Sequence, residues 1–225
     1  MENKDIRNKG KMKIAILGSS GFVGKVLIHK AIESGFTIKT LTRSPEKLED
    51  IKDKVEIIEG SVFDPAAVEE TLKGVQVVLS TIGPPARKPG NPLLYEKAMK
   101  DIVSIMKKHE IKRYIHIGGA VHEGGENEQW PINRRLLRLF LNLVGKPILT
   151  AKHLEWEVLK SSGLEWTLVR PPRIVKGKST GLLAKDEKNL HGMETDVDDL
   201  TGFMLEQIYS KEWIKKAPLV ASVRK

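Results

Sequence analysis

The strongest constraint on this chain is the stretch MKIAILGSSGFVG at residues 12–24, where an apolar run breaks into three glycines and re-emerges as an amphipathic segment. Ile14, Ala15, Ile16 and Leu17 are apolar without alternation, the pattern of a strand covered on both faces in a parallel sheet. Gly18, Gly21 and Gly24 follow at the spacing G-x-x-G-x-x-G. In such a turn the first glycine permits the sharp exit from the strand, and the second lets the backbone approach a pyrophosphate. The third lets the following helix pack closely on the strand. A helix from about Phe22 to Ser34 would aim its free N–H groups and positive dipole end at that pyrophosphate. Glycine collects in turns for many reasons, so the context carries the reading. Gly35 ends the helix, and a second strand, Thr37 to Thr42, completes a β-α-β unit of about 30 residues, as a nucleotide-binding unit requires.

The end of the second strand selects the nucleotide. A carboxylate there binds the ribose 2′-hydroxyl of NAD, whereas a 2′-phosphate needs a cation. This chain has Arg43 followed by Ser44, with Lys47 one turn on. A planar guanidinium suits a phosphate and a carboxylate would repel it, so the expected cofactor is NADP, with NAD as the alternative.

Strand and helix then alternate. A third strand is expected over 55–62, then Asp64 as an N-cap with Pro65 in the first turn of a helix that Gly74 stops. A fourth strand, Val75 to Ser80, runs into Ser80-Thr81-Ile82-Gly83-Pro84-Pro85, a loop on the carboxyl side of the sheet where the cofactor's ribose and nicotinamide would lie. A helix from about Pro92 to His109 and a strand over 113–120 follow. The Gly- and Glu-rich run VHEGGENEQWP is a candidate lid or substrate loop, and 133–144 reads as a basic amphipathic helix. Thr150 to Ser161 forms another helix, stopped by Gly163. Strand six is 165–172, followed by a polar stretch, a helix capped by Thr195 or Asp196, and a last strand over 217–223. The fold class is therefore α/β, a Rossmann-type doubly wound parallel sheet with helices on both faces. It is expected to form a single domain over 12–225, with a small C-terminal substrate-side region and a flexible tail at 1–11.

Composition narrows the function further. With 40% apolar and 30% charged residues the chain is an ordinary globular protein, and the absence of cysteine excludes disulfides, a thiolate nucleophile and zinc-thiolate sites. No metal site is expected. The N-terminus MENKDIRNKGK lacks the apolar core of a secretory signal, and LLRLFLNLVG is interrupted by Arg138 and Asn142 and too short to span a bilayer. A cytoplasmic location without membrane attachment is expected. The net charge of +9 is spread over several clusters without interleaved aromatics, which argues against nucleic acid and suits an anionic cofactor and acceptor.

Together, GSSGFVG, LTRSPEKL, GVQVVLSTIG, RYIHIGG, KHLEWEVLKSSGLEWTLVRPP and DVDDLTGFML resemble an atypical member of the short-chain dehydrogenase/reductase superfamily. The chain is similar there to the NAD(P)H-binding group of NmrA-like proteins and small biliverdin and flavin reductases, from about Lys13 to Val223. The resemblance implies that Gly18, Ser20, Gly21, Phe22, Val23 and Gly24 form the pyrophosphate turn, and that Arg43 and Ser44 meet the 2′-phosphate. Ser61 and Val62 would flank adenine, although relatives commonly have Asp where Ser61 stands. Ser80, Thr81 and Ile82 would lie beside the nicotinamide ribose, and Pro171 and Pro172 near the nicotinamide.

Catalysis departs from the superfamily pattern. Ketone-reducing relatives use a Ser after strand five and a Tyr-x-x-x-Lys pair. Here strand five ends in Gly118-Gly119, and Ile148 stands four residues before Lys152. Hydride transfer does without that tetrad when the acceptor stabilises its own negative charge, as flavins, quinones and linear tetrapyrroles do; the proton then comes from solvent. The expected function is an NADPH-dependent, flavin reductase-like oxidoreductase acting on a small-molecule conjugated acceptor. The alternatives are an NmrA-like redox sensor with a regulatory protein partner, and an epimerase- or dehydratase-like enzyme on nucleotide sugars. A homo-oligomer fits any of these. His122, Lys152 and His153 are the weak catalytic candidates, whereas His116 reads as a buried, hydrogen-bonded histidine.

Overall fold

The computed structural model describes residues 12–84, 90–120, 146–177 and 179–223. The chain runs β1 (Lys13–Leu17), α1 (Phe22–Glu33), β2 (Thr37–Thr42), a 3₁₀ segment (Pro45–Lys54), β3 (Glu56–Glu59), α2 (Pro65–Leu72), β4 (Val77–Ser80) and α3 (Pro92–Lys108). It continues through β5 (Arg113–Ile117), α4 (Lys146–Ser161), β6 (Glu165–Val169), β7 (Arg173–Val175), β8 (Leu183–Asp186), β9 (Glu194–Asp196), α5 (Val197–Glu206) and β10 (Leu219–Ser222). Six strands form one parallel sheet in the order β3-β2-β1-β4-β5-β6, a doubly wound Rossmann-type sheet.

The unbroken apolar run of β1 is explained by its two faces. Ile14 and Ile16 join a core layer with Leu27 and Ile28 of α1 and Leu200, Phe203 and Met204 of α5. Ala15 and Leu17 join the opposite layer with Val68 of α2, Met99 and Ile102 of α3, and Trp156 and Leu159 of α4. Helix starts follow local chemistry: the Asp64 carboxylate accepts from the Ala66 N–H at 3.0 Å, with Pro65 in the first turn. Of the two candidates for the cap of α5, the structure selects Asp196, which accepts from the Asp198 N–H at 2.8 Å. Thr195 is instead buried and donates to the Val220 carbonyl.

The expected strand ends are too generous, because the chain leaves the sheet early to form loops at the carboxyl edge. The third strand covers Glu56–Glu59, the fourth begins at Val77, the fifth stops at Ile117 and the sixth at Val169. The larger correction is C-terminal. The polar stretch after Pro172 carries three short strands, and the last strand pairs antiparallel with β8 outside the main sheet. Arg170 holds this region in place: fully buried, it donates to the Ala217 carbonyl at 2.6 Å and the Glu187 carbonyl at 2.9 Å. Arg113 does the same for the end of α5, donating to the Gln207 carbonyl, and burial lowers its pKa to about 10. Among the described residues no helix is long and apolar enough to cross a membrane.

Candidate nucleotide-binding site

The glycine turn has the geometry its spacing implies. Gly18 adopts φ +90°, a left-handed backbone that side chains disfavour, and accepts from the Gly21 N–H at 3.1 Å. Gly21 is the N-cap of α1, with no side chain satisfying the first helical N–H groups, so these remain available to an anion. A Cβ on Gly24 would lie 2.8 Å from both the Gly18 carbonyl carbon and the Ser19 Cα, so only glycine lets α1 begin this close to the strand.

A crevice follows the carboxyl ends of β2, β1 and β4. Gly18, Ser20 and Gly21 line it centrally. Thr42 at the end of β2 and Arg43 after it, with Ser61, Val62 and Phe63 after β3, line one side; Thr81, Ile82 and Gly83 after β4 line the other, and Tyr95 enters from α3. Arg43 is exposed, and among the described residues no carboxylate pairs with it. The residues present therefore fit a dinucleotide, with backbone donors for a pyrophosphate and a cation for a 2′-phosphate.

Other expected residues stand elsewhere. Phe22 is exposed in the first turn of α1, Val23 packs against the core, and Ser44 caps the 3₁₀ segment while its N–H donates to the Thr42 hydroxyl at 3.1 Å. Ser80 is completely buried, accepts from the Ile82 N–H at 3.4 Å and lines the cavity behind the crevice rather than the crevice itself. Pro171 is buried, and neither it nor Pro172 lines the crevice. His153 is exposed, pointing away from the Lys152 side of α4 because successive helical residues turn by about 100°. His122, the expected lid and the basic helix over 133–144 lie outside the described residues.

Behind the crevice, β4, β5, α3 and α4 enclose a small cavity lined by Ser80, Tyr95, Tyr114, His116 and Glu155. Lys152 Nζ is 3.1 Å from Glu155 Oε2, and His116 Nε2 is 3.7 Å from the same oxygen. His116 Nδ1 lies 3.5 Å from the Tyr114 hydroxyl, while its Nε2 has no hydrogen-bond partner among the described residues. The expectation of a buried His116 holds, and its hydrogen bonding is sparser than expected. Burial pushes the His116 pKa down despite the carboxylate, and it pushes the Tyr114 phenol up. Burial also raises Tyr95, which feels Arg43 on one side and Glu155 on the other. Phe63, Tyr95 and Glu155 were not singled out by the sequence. Only Glu155 carried a signal, three residues after Lys152 and hence on the same helix face.

A family model described as NAD(P)H-binding matches residues 18–211, and the chain belongs to that family. The uncharacterized protein YwnB of Bacillus subtilis is 30% identical over 109 residues, 48% of each chain, so the aligned stretch spans under half of that relative. Among solved structures, ChuY, an "Anaerobillin Reductase" from Escherichia coli O157:H7, superposes with TM-score 0.77 at 15% identity, covering 95% of this chain and 100% of that one. A Veillonella parvula short-chain dehydrogenase/reductase in complex with NADP gives TM-score 0.75 at 16% identity over 94% of both chains.

Proposed function

We propose that this chain, as a member of the NAD(P)H-binding family, is an NADPH-dependent oxidoreductase that passes hydride to a conjugated acceptor without a Ser-Tyr-Lys tetrad. The observation that carries this reading is the crevice itself, with a phosphate turn at its centre, on one side Arg43, which no carboxylate among the described residues pairs with, and a reacting end without the tetrad's hydroxyls. Ile148 stands four residues before Lys152, where the tetrad tyrosine would be, and Gly118-Gly119 follow the end of β5. A Cβ on Gly119 would meet no described atom within 4 Å, which leaves space for a planar ring. The NADP complex of the Veillonella protein and the reductase name of ChuY support the cofactor and reaction class.

When bound, the nucleotide would supply a hydride from its dihydronicotinamide, giving the acceptor two electrons and one hydrogen, and solvent would supply the accompanying proton. The protein's own part is positioning. Backbone N–H groups at Gly21 and the start of α1 would hold the pyrophosphate, and Arg43 the 2′-phosphate. Thr81 is fixed for its place by donating its hydroxyl to the Gly18 carbonyl at 3.1 Å. The test is a screen of NADPH oxidation with FMN, FAD, quinones and biliverdin. Turnover with at least one acceptor is expected. Tight NADPH binding with no turnover on any of them would overturn the enzyme reading in favour of a nucleotide sensor.

A further inference from the structure

The glycine turn is held from beneath by two hydroxyls that do not reach the crevice. Ser19, in the turn, and Thr40, in β2, are both fully buried, and neither lines the crevice, whereas Gly18 and Ser20 on either side of Ser19 do. The Thr40 hydroxyl lies 2.7 Å from the Ile16 carbonyl and 2.6 Å from the Ser19 hydroxyl. A hydroxyl has one proton and a carbonyl only accepts, so Thr40 donates to Ile16 and accepts from Ser19. β2 and β4 flank β1 in the sheet, and the turn is thus tied to the β2 side by Ser19 and to the β4 side by Thr81, which donates to the Gly18 carbonyl. Stability does not call for the inner tie, because a buried pair of hydroxyls adds little over apolar groups of the same shape. What such a bond adds is direction.

We infer that Ser19 and Thr40 are positioning residues, whose hydrogen bond sets the glycine turn relative to Arg43 and thereby favours NADPH over NADH. This rests on the reading of the crevice as an NADPH site. The link runs through β2: Arg43 follows Thr40 by three residues, just past the carboxyl end of the same strand, and Ser19 stands two residues before Gly21, the N-cap of α1. On its other side Ser19 is backed by α1, since a Cβ on Gly24 would lie 2.8 Å from the Ser19 Cα. The turn is therefore wedged between that helix and Thr40. With the pyrophosphate on the turn and the 2′-phosphate on Arg43, NADPH needs both anchors at a set separation. NADH uses only the first and can follow a shifted turn. Ser19 and Thr40 act through the turn and touch no ligand themselves.

The test is calorimetric titration with NADPH and with NADH, set beside thermal unfolding of the same variants. Ser19→Ala, Thr40→Val and the double variant should each weaken NADPH about fivefold to tenfold and NADH by no more than about twofold; the double variant should lose no more than either single one. In an Arg43→Ala background, which lacks the second anchor, Ser19→Ala should change NADPH affinity by no more than about twofold. Stability should not follow affinity. The double variant leaves neither hydroxyl unpaired and should unfold within about 3 °C of the unaltered protein, whereas Thr40→Ser keeps the hydroxyl, loses a buried methyl, and should bind NADPH normally while unfolding at a lower temperature. Equal losses for the two nucleotides, losses that multiply in the double variant or follow Tm rather than the hydroxyls, or unchanged NADPH affinity in Ser19→Ala would overturn the inference. No NADPH binding by the unaltered protein, or a preference for NADH, would instead refute the reading of the crevice. Should Thr40→Val fail to fold because it leaves the Ser19 hydroxyl unpaired, Ser19→Ala decides alone, with and without Arg43.

Discussion

The carbonyl of Gly18 occupies the space that a side chain on Gly24 would need, which locks the end of β1 to the start of α1. Gly24→Ala would push the helix off the turn, an overpacking change of about 2 kcal/mol that lowers Tm by roughly 4–8 °C in a chain of this size. NADPH binding should fall with it, because the donors at the start of α1 move. Thermal unfolding and nucleotide titration of the variant check both. A fully stable variant would show that the third glycine is dispensable.

Phe63 and Tyr95 form an edge-to-face pair, ring centres 5.3 Å apart at 83°, beside Arg43 in the crevice. In the proposed binding mode the pair would offer an apolar wall to the adenine half. Phe63→Ala should weaken NADPH and NADH by the same factor, about tenfold, as expected for loss of a base-aromatic contact. A change in the ratio of the two affinities would place Phe63 at the 2′-phosphate instead.

How much of this was legible in the sequence depended on whether the governing interaction is local. The turn from Gly18 to Gly24 and the Asp64 cap act over a few residues, and both can be read directly. The doubly covered strand betrays itself by its lack of alternation. Ser80 shows the limit of that signal: all four residues of β4 are buried, so parity cannot say which side chain faces the crevice. The small sheets were hidden because β7 pairs with β9 and β8 with β10 across long separations, as in Arg173 with Glu194 and Leu183 with Ser222. Strands of three or four residues are too short to show a period. Phe63 and Tyr95 meet only in space, and nothing in either neighbourhood announces the other.

Gly119 supplies the clearest test of the acceptor's place. Gly119→Val projects a branched side chain into the space left beyond β5. NADPH affinity should stay within about twofold while turnover is lost, because Gly119 stands apart from the glycine turn and Arg43 proposed to hold the phosphates. A variant with full activity would show that the glycine makes no room for the acceptor.

Asp199 contributes to the pH response of the C-terminal region. Burial alone would raise its pKa, but hydrogen bonds from the Ser179 hydroxyl, the Ser222 hydroxyl at 2.7 Å and the Gly181 N–H at 3.0 Å outweigh it and hold it below the ordinary 3.8. A carboxylate lowered in the folded state contributes stability above its unfolded pKa and loses it as pH falls through the folded value. Asp199→Asn should therefore cost about 1–3 kcal/mol at pH 7. The gap to the unaltered protein should close as acid protonates Asp199. Denaturant titrations from pH 7 into the acid range measure this, and equal stabilities at pH 7 would contradict it.

The central claim is that this crevice takes a phosphorylated nicotinamide dinucleotide with Arg43 on the 2′-phosphate. Its most direct test is to measure dissociation constants for NADPH and NADH with the unaltered chain and with Arg43→Ala. The account predicts that the unaltered chain prefers NADPH and that the substitution weakens NADPH tenfold or more, about 1.4 kcal/mol, while leaving NADH within about twofold. Preference for NADH in the unaltered chain, or NADPH affinity unchanged by the substitution, would contradict it.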